Sequence, residues 1–192
     1  KPINRPLNES IIYEVHVRGF TKSPTSKVKH PGTYAGVIEK IPYLKELGIT
    51  CVELLPIFEF DDSEERLFNG NKLVNYWGYS TVSFFAPHSG YCINPENGNH
   101  LTEFRDMVKA LHKADIGVIL DVAFNHTDEG DHQGLIFSFK GLGNDSYYHL
   151  EQHNKKYYAN YSGCGNTFNC NHPICTKLIL DCLWYWVRDM HI

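Results

Sequence analysis

The sequence predicts an α/β fold built on a parallel sheet. Three apolar segments rich in β-branched residues, 11–17, 50–57 and 118–124, are each followed by a segment with helical periodicity. Strands that alternate with helices in this way form parallel sheets with right-handed crossovers. The 192 residues suffice for one domain with a substantial core, and 42% hydrophobic and 21% charged residues are ordinary for a globular chain.

The first strand–helix unit covers residues 11–48. Residues 11–17 favour a strand because they combine β-branched and aromatic side chains, and residues 21–32 are predicted to form a loop. Apolar residues recur at helical spacing over residues 34–47. Pro42 has no N–H to donate and should break or restart this helix, and Gly48 marks its end.

The second unit begins with a strand at residues 50–57. The segment 61–98 is predicted to be long and irregular, and loops of this length in compact domains are usually functional. Thr102 is the expected N-cap of the next helix, and Gly117 is its expected end. One face of that helix is predicted to carry Phe104, Val108, Leu111 and, at its end, Asp115.

The third strand, predicted at residues 118–124, changes character along its length. Its start is apolar, Asp121 lies near its carboxyl end, and Asn125 and His126 follow where the chain leaves the sheet. In parallel α/β folds that edge of the sheet binds ligands. The alternative is a buried strand that ends in a polar turn.

A second long insertion, residues 127–171, precedes the last predicted helix, which begins at Pro173. That helix is apolar around much of its circumference, which predicts neighbours on both sides. Long insertions therefore follow the second and third strands, as active-site loops do in a (β/α)8 barrel. Three units are too few to close a barrel, so we expect a partial TIM barrel that ends at Ile192, where a fourth strand would begin.

The composition argues against several classes of binding partner. The net charge is −4 without a basic run, which argues against nucleic acid, and no apolar run is long enough to span a membrane. An aromatic content of 14% suits stacking on sugars as well as an ordinary core. The six cysteines are expected to be thiols in a reducing compartment. One cysteine and histidine cluster lacks a C-x-x-C pair, so no metal site is predicted: Cys164, Cys170, His172 and Cys175.

Five stretches, in order, resemble the α-amylase superfamily of glycoside hydrolases (family 13). Residues 11–21 correspond to its first strand, residues 52–60 to its second strand and residues 75–87 to its aromatic loop. Residues 121–126 (Asp-Val-Ala-Phe-Asn-His) correspond to its first conserved motif, and residues 163–173 to a signature loop of isoamylase-type debranching enzymes. The resemblance covers essentially the whole chain. It implies hydrolysis of α-1,6 branch linkages in glycogen or amylopectin-like glucans, without a cofactor, in the cytoplasm or a plastid stroma.

The resemblance also implies what this chain lacks. The family's nucleophile and general acid, on its fourth and fifth strands, would lie beyond Ile192, and a sandwich domain would precede the barrel. Retaining hydrolysis needs two carboxyl groups about 5–5.5 Å apart, so the chain alone is expected to be inactive. Two alternatives remain open: a branching or α-1,4-acting member of the family, and a non-catalytic glucan-binding protein.

By resemblance, five residues of this chain serve the site. Tyr79 would stack on the glucose unit at the cleavage point, and His126 would donate a hydrogen bond to a hydroxyl of the same sugar. Trp77 would extend the sugar-binding surface. Asp121 would pair with an arginine of the missing fourth-strand motif, and Asn125 would tie the following loop to backbone groups. The local alternatives are a core tyrosine at Tyr79, a histidine that satisfies backbone groups, and loop packing at Trp77.

Overall fold

The computed structural model describes residues 3, 5–63 and 66–192, so residues 64 and 65 of the predicted segment 61–98 lie outside the described residues. The chain forms two compact units. The first comprises Lys1–Ile57, Ala86–Val122 and Trp186–Ile192, and the second comprises Phe58–Phe85 and Ala123–Tyr185.

The described residues form seven strands and six α-helices. In chain order they are β1 (Ile12–Val15), α1 (Val17–Lys22), α2 (Tyr34–Glu39), α3 (Ile41–Glu46), β2 (Cys51–Leu54), β3 (Phe58–Phe60), β4 (Arg66–Phe68), β5 (Asn71–Leu73), β6 (Thr81–Pro87), α4 (Asn99–Lys113), β7 (Gly117–Leu120), α5 (Phe139–Tyr147) and α6 (Pro173–Arg188). Within the described residues, no helix combines the length and apolar character needed to cross a membrane.

A parallel sheet in the order β1-β2-β7 forms the centre of the first unit. Val52 of β2 lies opposite Tyr13 on one side and Val118 on the other. Val52 and Leu54, which share one face of β2, are fully buried, whereas Cys51 and Glu53 on the other face are partly exposed. The predicted parallel α/β architecture is confirmed, although all three strands are shorter than the apolar segments that predicted them.

The first strand ends early because His16 caps a helix that the sequence did not reveal. The His16 Nδ1 accepts a hydrogen bond from the Gly19 N–H at 3.0 Å, and α1 replaces the start of the predicted loop. The predicted interruption at Pro42 is confirmed: α2 ends at Glu39, and Pro42 occupies the first turn of α3. A proline is tolerated there because the first N–H groups of a helix have no intrahelical acceptor.

The predicted N-cap of α4 is wrong. The helix begins at Asn99, after Gly98 in a left-handed conformation, so Thr102 lies inside the first turn. The neighbouring Glu103 carboxylate accepts backbone N–H groups of the preceding turn, including that of Ile93 at 2.8 Å. This bond links the preceding turn to a side chain inside the helix. No residue at the N-cap position signals such a bond.

The predicted face of α4 is confirmed at its apolar positions but not at Asp115, which lies beyond the helix and is exposed, and the predicted end of the helix is wrong. Phe104, Val108 and Leu111 are all buried. The left-handed position after the helix belongs to Asp115, with φ of 62°, and Gly117 already begins β7. Asp adopts this conformation more readily than most residues because its short side chain can bond locally.

The second unit contains strands where the sequence predicted irregular chain. β6 is seven residues long and pairs with β3, and β4 and β5 form an antiparallel hairpin. The Phe84 ring of β6 lies 6.0 Å from the Phe58 ring, 5.3 Å from the Phe124 ring and 6.1 Å from the Phe139 ring, measured between centroids. The core of this unit is therefore an aromatic cluster.

The insertion 127–171 contains α5 and two isolated bridges, and α6 begins at Pro173 as predicted. The expectation that α6 is covered on both sides is wrong. Its Cys182 is fully buried, whereas Trp184 is 65% exposed and Leu180 is 54% exposed. The apolar composition of a helix determines how much of its surface can be buried, but it does not identify the neighbours that cover this surface.

Candidate functional site

Asp121 directly follows β7 in the first unit. The predicted strand 118–124 would have contained Asp121. Because β7 ends at Leu120, the Asp121 carboxylate instead lies just past the strand. The Asp121 N–H donates to the Leu54 carbonyl at 2.9 Å, which continues the ladder between β7 and β2. The backbone thus fixes the carboxyl edge of the sheet at the residue predicted to support the site.

His126 lies in the second unit and is 8% exposed. Its Nδ1 is 2.8 Å from Oδ1 of Asn125, and its ring also hydrogen-bonds to the Tyr79 backbone. Burial lowers the pKa of His126, and the bond to the Tyr79 backbone opposes this effect. The net effect favours the neutral imidazole, which carries one donor and one acceptor nitrogen.

Tyr79 follows a turn that Asn75 and Gly78 define. The Gly78 N–H donates to the Asn75 Oδ1 at 3.2 Å, and Gly78 has φ of 81°, where a side chain would be strained. The Tyr79 side chain leaves this turn 37% exposed. A tyrosine in the core would be far less accessible, so the exposure leaves ring surface available to a ligand.

Trp77 lies in the same turn and is 56% exposed. Its ring meets the Tyr76 ring edge to face, with centroids 5.1 Å apart and an interplanar angle of 82°. Trp77 therefore packs against a neighbour within the loop and still keeps more than half of its surface exposed. Of the predicted site residues, the described second unit brings His126, Asn125 and the Tyr79 backbone together, whereas Asp121 belongs to the first unit.

The loop 163–173 braces the segment around His126 through a side chain that sequence reasoning missed. Asn166 is fully buried, its Oδ1 accepts the Thr127 N–H at 3.1 Å, and its Nδ2 donates to the carbonyls of Thr127 at 3.0 Å and Gly130 at 2.9 Å. The Phe168 N–H donates to the Asn125 carbonyl at 2.9 Å. The one available signal was the glycine-rich setting of Asn166, which marks a turn but not its partner.

Glu129 is a second missed residue. Its fully buried carboxylate accepts the backbone N–H groups of Phe137 at 3.1 Å, Ser138 at 2.9 Å and Lys140 at 3.1 Å, around the start of α5. It also accepts the Tyr148 hydroxyl at 2.5 Å. Burial raises the pKa of Tyr148, and the bond to Glu129 raises it further. With its lone pairs occupied, this carboxylate organises the insertion and is not available as an acid or base.

Among the described residues, the side chains that bind metals in other proteins do not converge. In residues 3, 5–63 and 66–192, no group of three or more His, Cys, Asp and Glu side chains is arranged to hold a metal ion. The six cysteines are thiols. Burial raises the pKa of the Cys175 thiol to about 11, with a smaller contribution from Cys170, so Cys175 is a weak nucleophile at neutral pH.

Comparison with known proteins places these residues in a family. The model of the alpha amylase catalytic domain matches residues 14–173. The chain is 51% identical to Isoamylase 1, chloroplastic, of Arabidopsis thaliana over 97% of its own length and 24% of that protein. It is 44% identical to a Glycogen operon protein GlgX homolog of Mycobacterium bovis, over 97% of its own length and 26% of that protein.

Solved structures agree with the sequence matches. A pullulanase type I from Bacillus subtilis, solved with maltose, superposes with a TM-score of 0.84 at 28% identity and covers 100% of this chain and 27% of the pullulanase chain. The chain thus spans about a quarter of the length of the relatives it matches. The match over residues 14–173 includes the end of β1, all of β2 and β7, Tyr79 and His126, and on this ground the chain belongs to the α-amylase catalytic-domain family.

Proposed function

We propose that the chain is part of an isoamylase-like debranching enzyme. The enzyme hydrolyses α-1,6 branch linkages of glycogen- or amylopectin-like glucans and retains the anomeric configuration. The names of the relatives support this activity, since they include isoamylases and a glycogen operon protein at 44–51% identity. The thiol state of the cysteines and relatives named chloroplastic support a plastid or a bacterial cytoplasm as its compartment.

In this proposal the chain supplies the first part of a (β/α)8 barrel. β1, β2 and β7 are its first three strands, and the long insertions, including 127–171, follow the second and third of them. A preceding sandwich domain, the remaining strands, the nucleophile and the general acid belong to other parts of the protein. The exposed apolar side chains of α6, such as Trp184, support a further barrel segment that covers this helix.

One observation carries the sugar-binding part of the proposal: the buried imidazole of His126 is hydrogen-bonded to the backbone of Tyr79, a residue that is itself partly exposed. The flat face of the Tyr79 ring matches the C–H face of a pyranose. His126 turns one nitrogen to a sugar hydroxyl when the substrate displaces or reorients its present partner. Such a bond contributes about 1 kcal/mol net, and more if it tightens in the transition state.

The other predicted residues support this pair. Trp77 extends the stacking surface from the same turn. Asn125 holds the backbone after the third strand, consistent with its carbonyl bond from Phe168. Asp121 pairs with an arginine supplied by the fourth strand, because a carboxylate at the edge of the sheet forms the strong bidentate geometry with a guanidinium. The chain itself contains no pair of catalytic carboxylates in this proposal.

The test gives the full-length protein pullulan, glycogen and linear amylose side by side and follows reducing ends. Release from pullulan or glycogen without release from amylose is the expected result. Cleavage of amylose would favour an α-1,4-acting enzyme. Retardation on a glucan-affinity gel without any release would instead favour a non-catalytic glucan-binding protein, and either outcome would overturn the proposal.

A further inference from the structure

The loop 163–170, which we call the clamp loop, contacts the segment 125–130 that contains His126. The contact involves two kinds of bond, from a buried side chain and from the backbone. Asn166 bonds the backbone of Thr127 at both its N–H and its carbonyl, and Phe168 donates its N–H to the Asn125 carbonyl. Both chain neighbours of His126 are therefore fixed by the clamp loop, one on each side.

The clamp loop can approach so closely because of Gly165. A Cβ at this position would lie 2.9 Å from the Asp131 nitrogen, closer than real Cβ atoms come, and a tight 3.0 Å from the Gly130 carbonyl carbon. Gly165 also has φ of 98°, which disfavours residues with side chains. Its lack of a side chain brings the next residue, Asn166, within hydrogen-bond distance of the Gly130 carbonyl.

The side chain of Asn166 is not accessible to a ligand from solvent, because it is fully buried. Its two amide hydrogens go to the carbonyls of Thr127 and Gly130, its oxygen accepts the Thr127 N–H, and the residue is 0% exposed. All three bonds end on backbone atoms. Any effect of Asn166 on a substrate must therefore pass through the position of the segment that it holds.

We infer that Asn166 is a positioning residue for His126: it fixes the backbone on the carboxyl side of His126 so that the imidazole meets the sugar at the cleavage point. This inference rests on the proposed function and goes beyond it, because it assigns the clamp loop a role in the placement of His126. The required precision is high, since a misplacement of about 1 Å at a reacting group can lower a rate by about 100-fold.

Two substitutions separate the parts of the clamp. Asn166→Ala removes all three bonds and leaves two buried carbonyls and one N–H to be satisfied elsewhere. Asn166→Asp keeps the oxygen that faces the Thr127 N–H but places a carboxylate oxygen against the carbonyls of Thr127 and Gly130. A matched control is Asn144→Ala, which removes a bond of 2.6 Å from the Tyr158 hydroxyl in the same unit without touching residues 125–130.

The experiment is a double-mutant cycle in the full-length protein. Asn166→Ala, Asn166→Asp, Asn144→Ala and His126→Ala are made singly, and both Asn166 changes are also combined with His126→Ala. Hydrolysis of the α-1,6 branch linkages of glycogen gives kcat and KM, and the melting temperature reports folding. We expect either Asn166 change to lower kcat/KM by about 10- to 100-fold in the wild-type background and by less than about 3-fold in the His126→Ala background.

The outcomes separate the two proposals. A wild-type protein that releases no reducing ends would refute the proposed function. An active wild type overturns the inference if the Asn166 changes cost the same factor with and without His126, or if Asn144→Ala costs as much. Failure of both Asn166 variants to fold would also overturn it, because Asn166 would then be a folding determinant and not a positioning residue.

Discussion

Replacement of Tyr148 by phenylalanine tests the buried network that organises the insertion. The Tyr148 hydroxyl donates to the Glu129 carboxylate at 2.5 Å and lies 2.7 Å from the Thr127 hydroxyl. Tyr148→Phe removes both bonds, and loss of the bond to the buried Glu129 carboxylate accounts for most of the expected destabilisation. A hydrogen bond to a charged group contributes about 1.5–3 kcal/mol, so we expect the free energy of unfolding to fall by about 2–3 kcal/mol at pH 7.

The same variant has a defined pH dependence. The folded state raises the pKa of Tyr148, so the folded protein keeps the phenolic proton at a pH where the unfolded chain loses it. The resulting stability is fully present below pH 10 and decreases as the pH rises above it. With an unfolded pKa of about 10, the wild-type advantage over Tyr148→Phe should shrink by about 1.4 kcal/mol at pH 11.

Urea denaturation of the full-length protein at pH 7, 9, 10 and 11 measures both quantities. Tyr161→Phe is the matched control, because Tyr161 is 83% exposed and should show neither effect. The reasoning is refuted if Tyr148→Phe costs less than about 0.5 kcal/mol at pH 7, or if the difference between wild type and variant does not change above pH 10.

Three further predictions concern packing, binding and catalysis. Gly134→Ala should lower the free energy of unfolding by about 3 kcal/mol or more, because its Cβ would lie 2.0 Å from the Glu129 carbonyl oxygen. The control Gly141→Ala has its nearest contact at 3.6 Å, so thermal melts should show it to be neutral or slightly stabilising. Tyr79→Ala should abolish retardation of the full-length protein on a glycogen-containing gel, and unchanged mobility relative to wild type would exclude Tyr79 as a sugar platform. The 192-residue chain alone should release no reducing ends from glycogen, and turnover above background would place a catalytic pair within it.

The parallel sheet could be predicted because its signals are local. Each of β1, β2 and β7 is an apolar, β-branched segment, and each strand–helix unit carries its own periodicity. Pro42 interrupts a helix through its own missing N–H, and Pro173 begins one for the same reason. Features of this kind need no knowledge of what lies far along the chain.

Most of the wrong or missing predictions concern positions whose structure is determined by a residue distant in the sequence. β6 forms a sheet because β3 pairs with it, whereas the local cap that ends β1 was missed because histidine is not among the usual N-cap residues. Asn166 binds the backbone 39 residues away at Thr127, and Glu129 reaches the start of α5. No spacing rule reveals such bonds, so the residues that hold the His126 segment came from the structure.

The resemblance contributed what local reasoning could not. Asp121, Asn125 and His126 read alone suggest a carboxylate and an imidazole at a catalytic centre. The family match over residues 14–173 places the same residues in an α-amylase catalytic domain. In our proposal they position an arginine and a sugar, and the reacting carboxylates belong to the rest of the protein.

The most direct test of the proposed debranching is proton NMR of glycogen during digestion by the full-length protein. The α-1,6 anomeric signal should decrease while the α-1,4 signal stays constant, and the freed chain ends should appear first as the α anomer. Loss of the α-1,4 signal would contradict the assigned linkage. Chain ends that appear first as the β anomer would contradict the retaining mechanism.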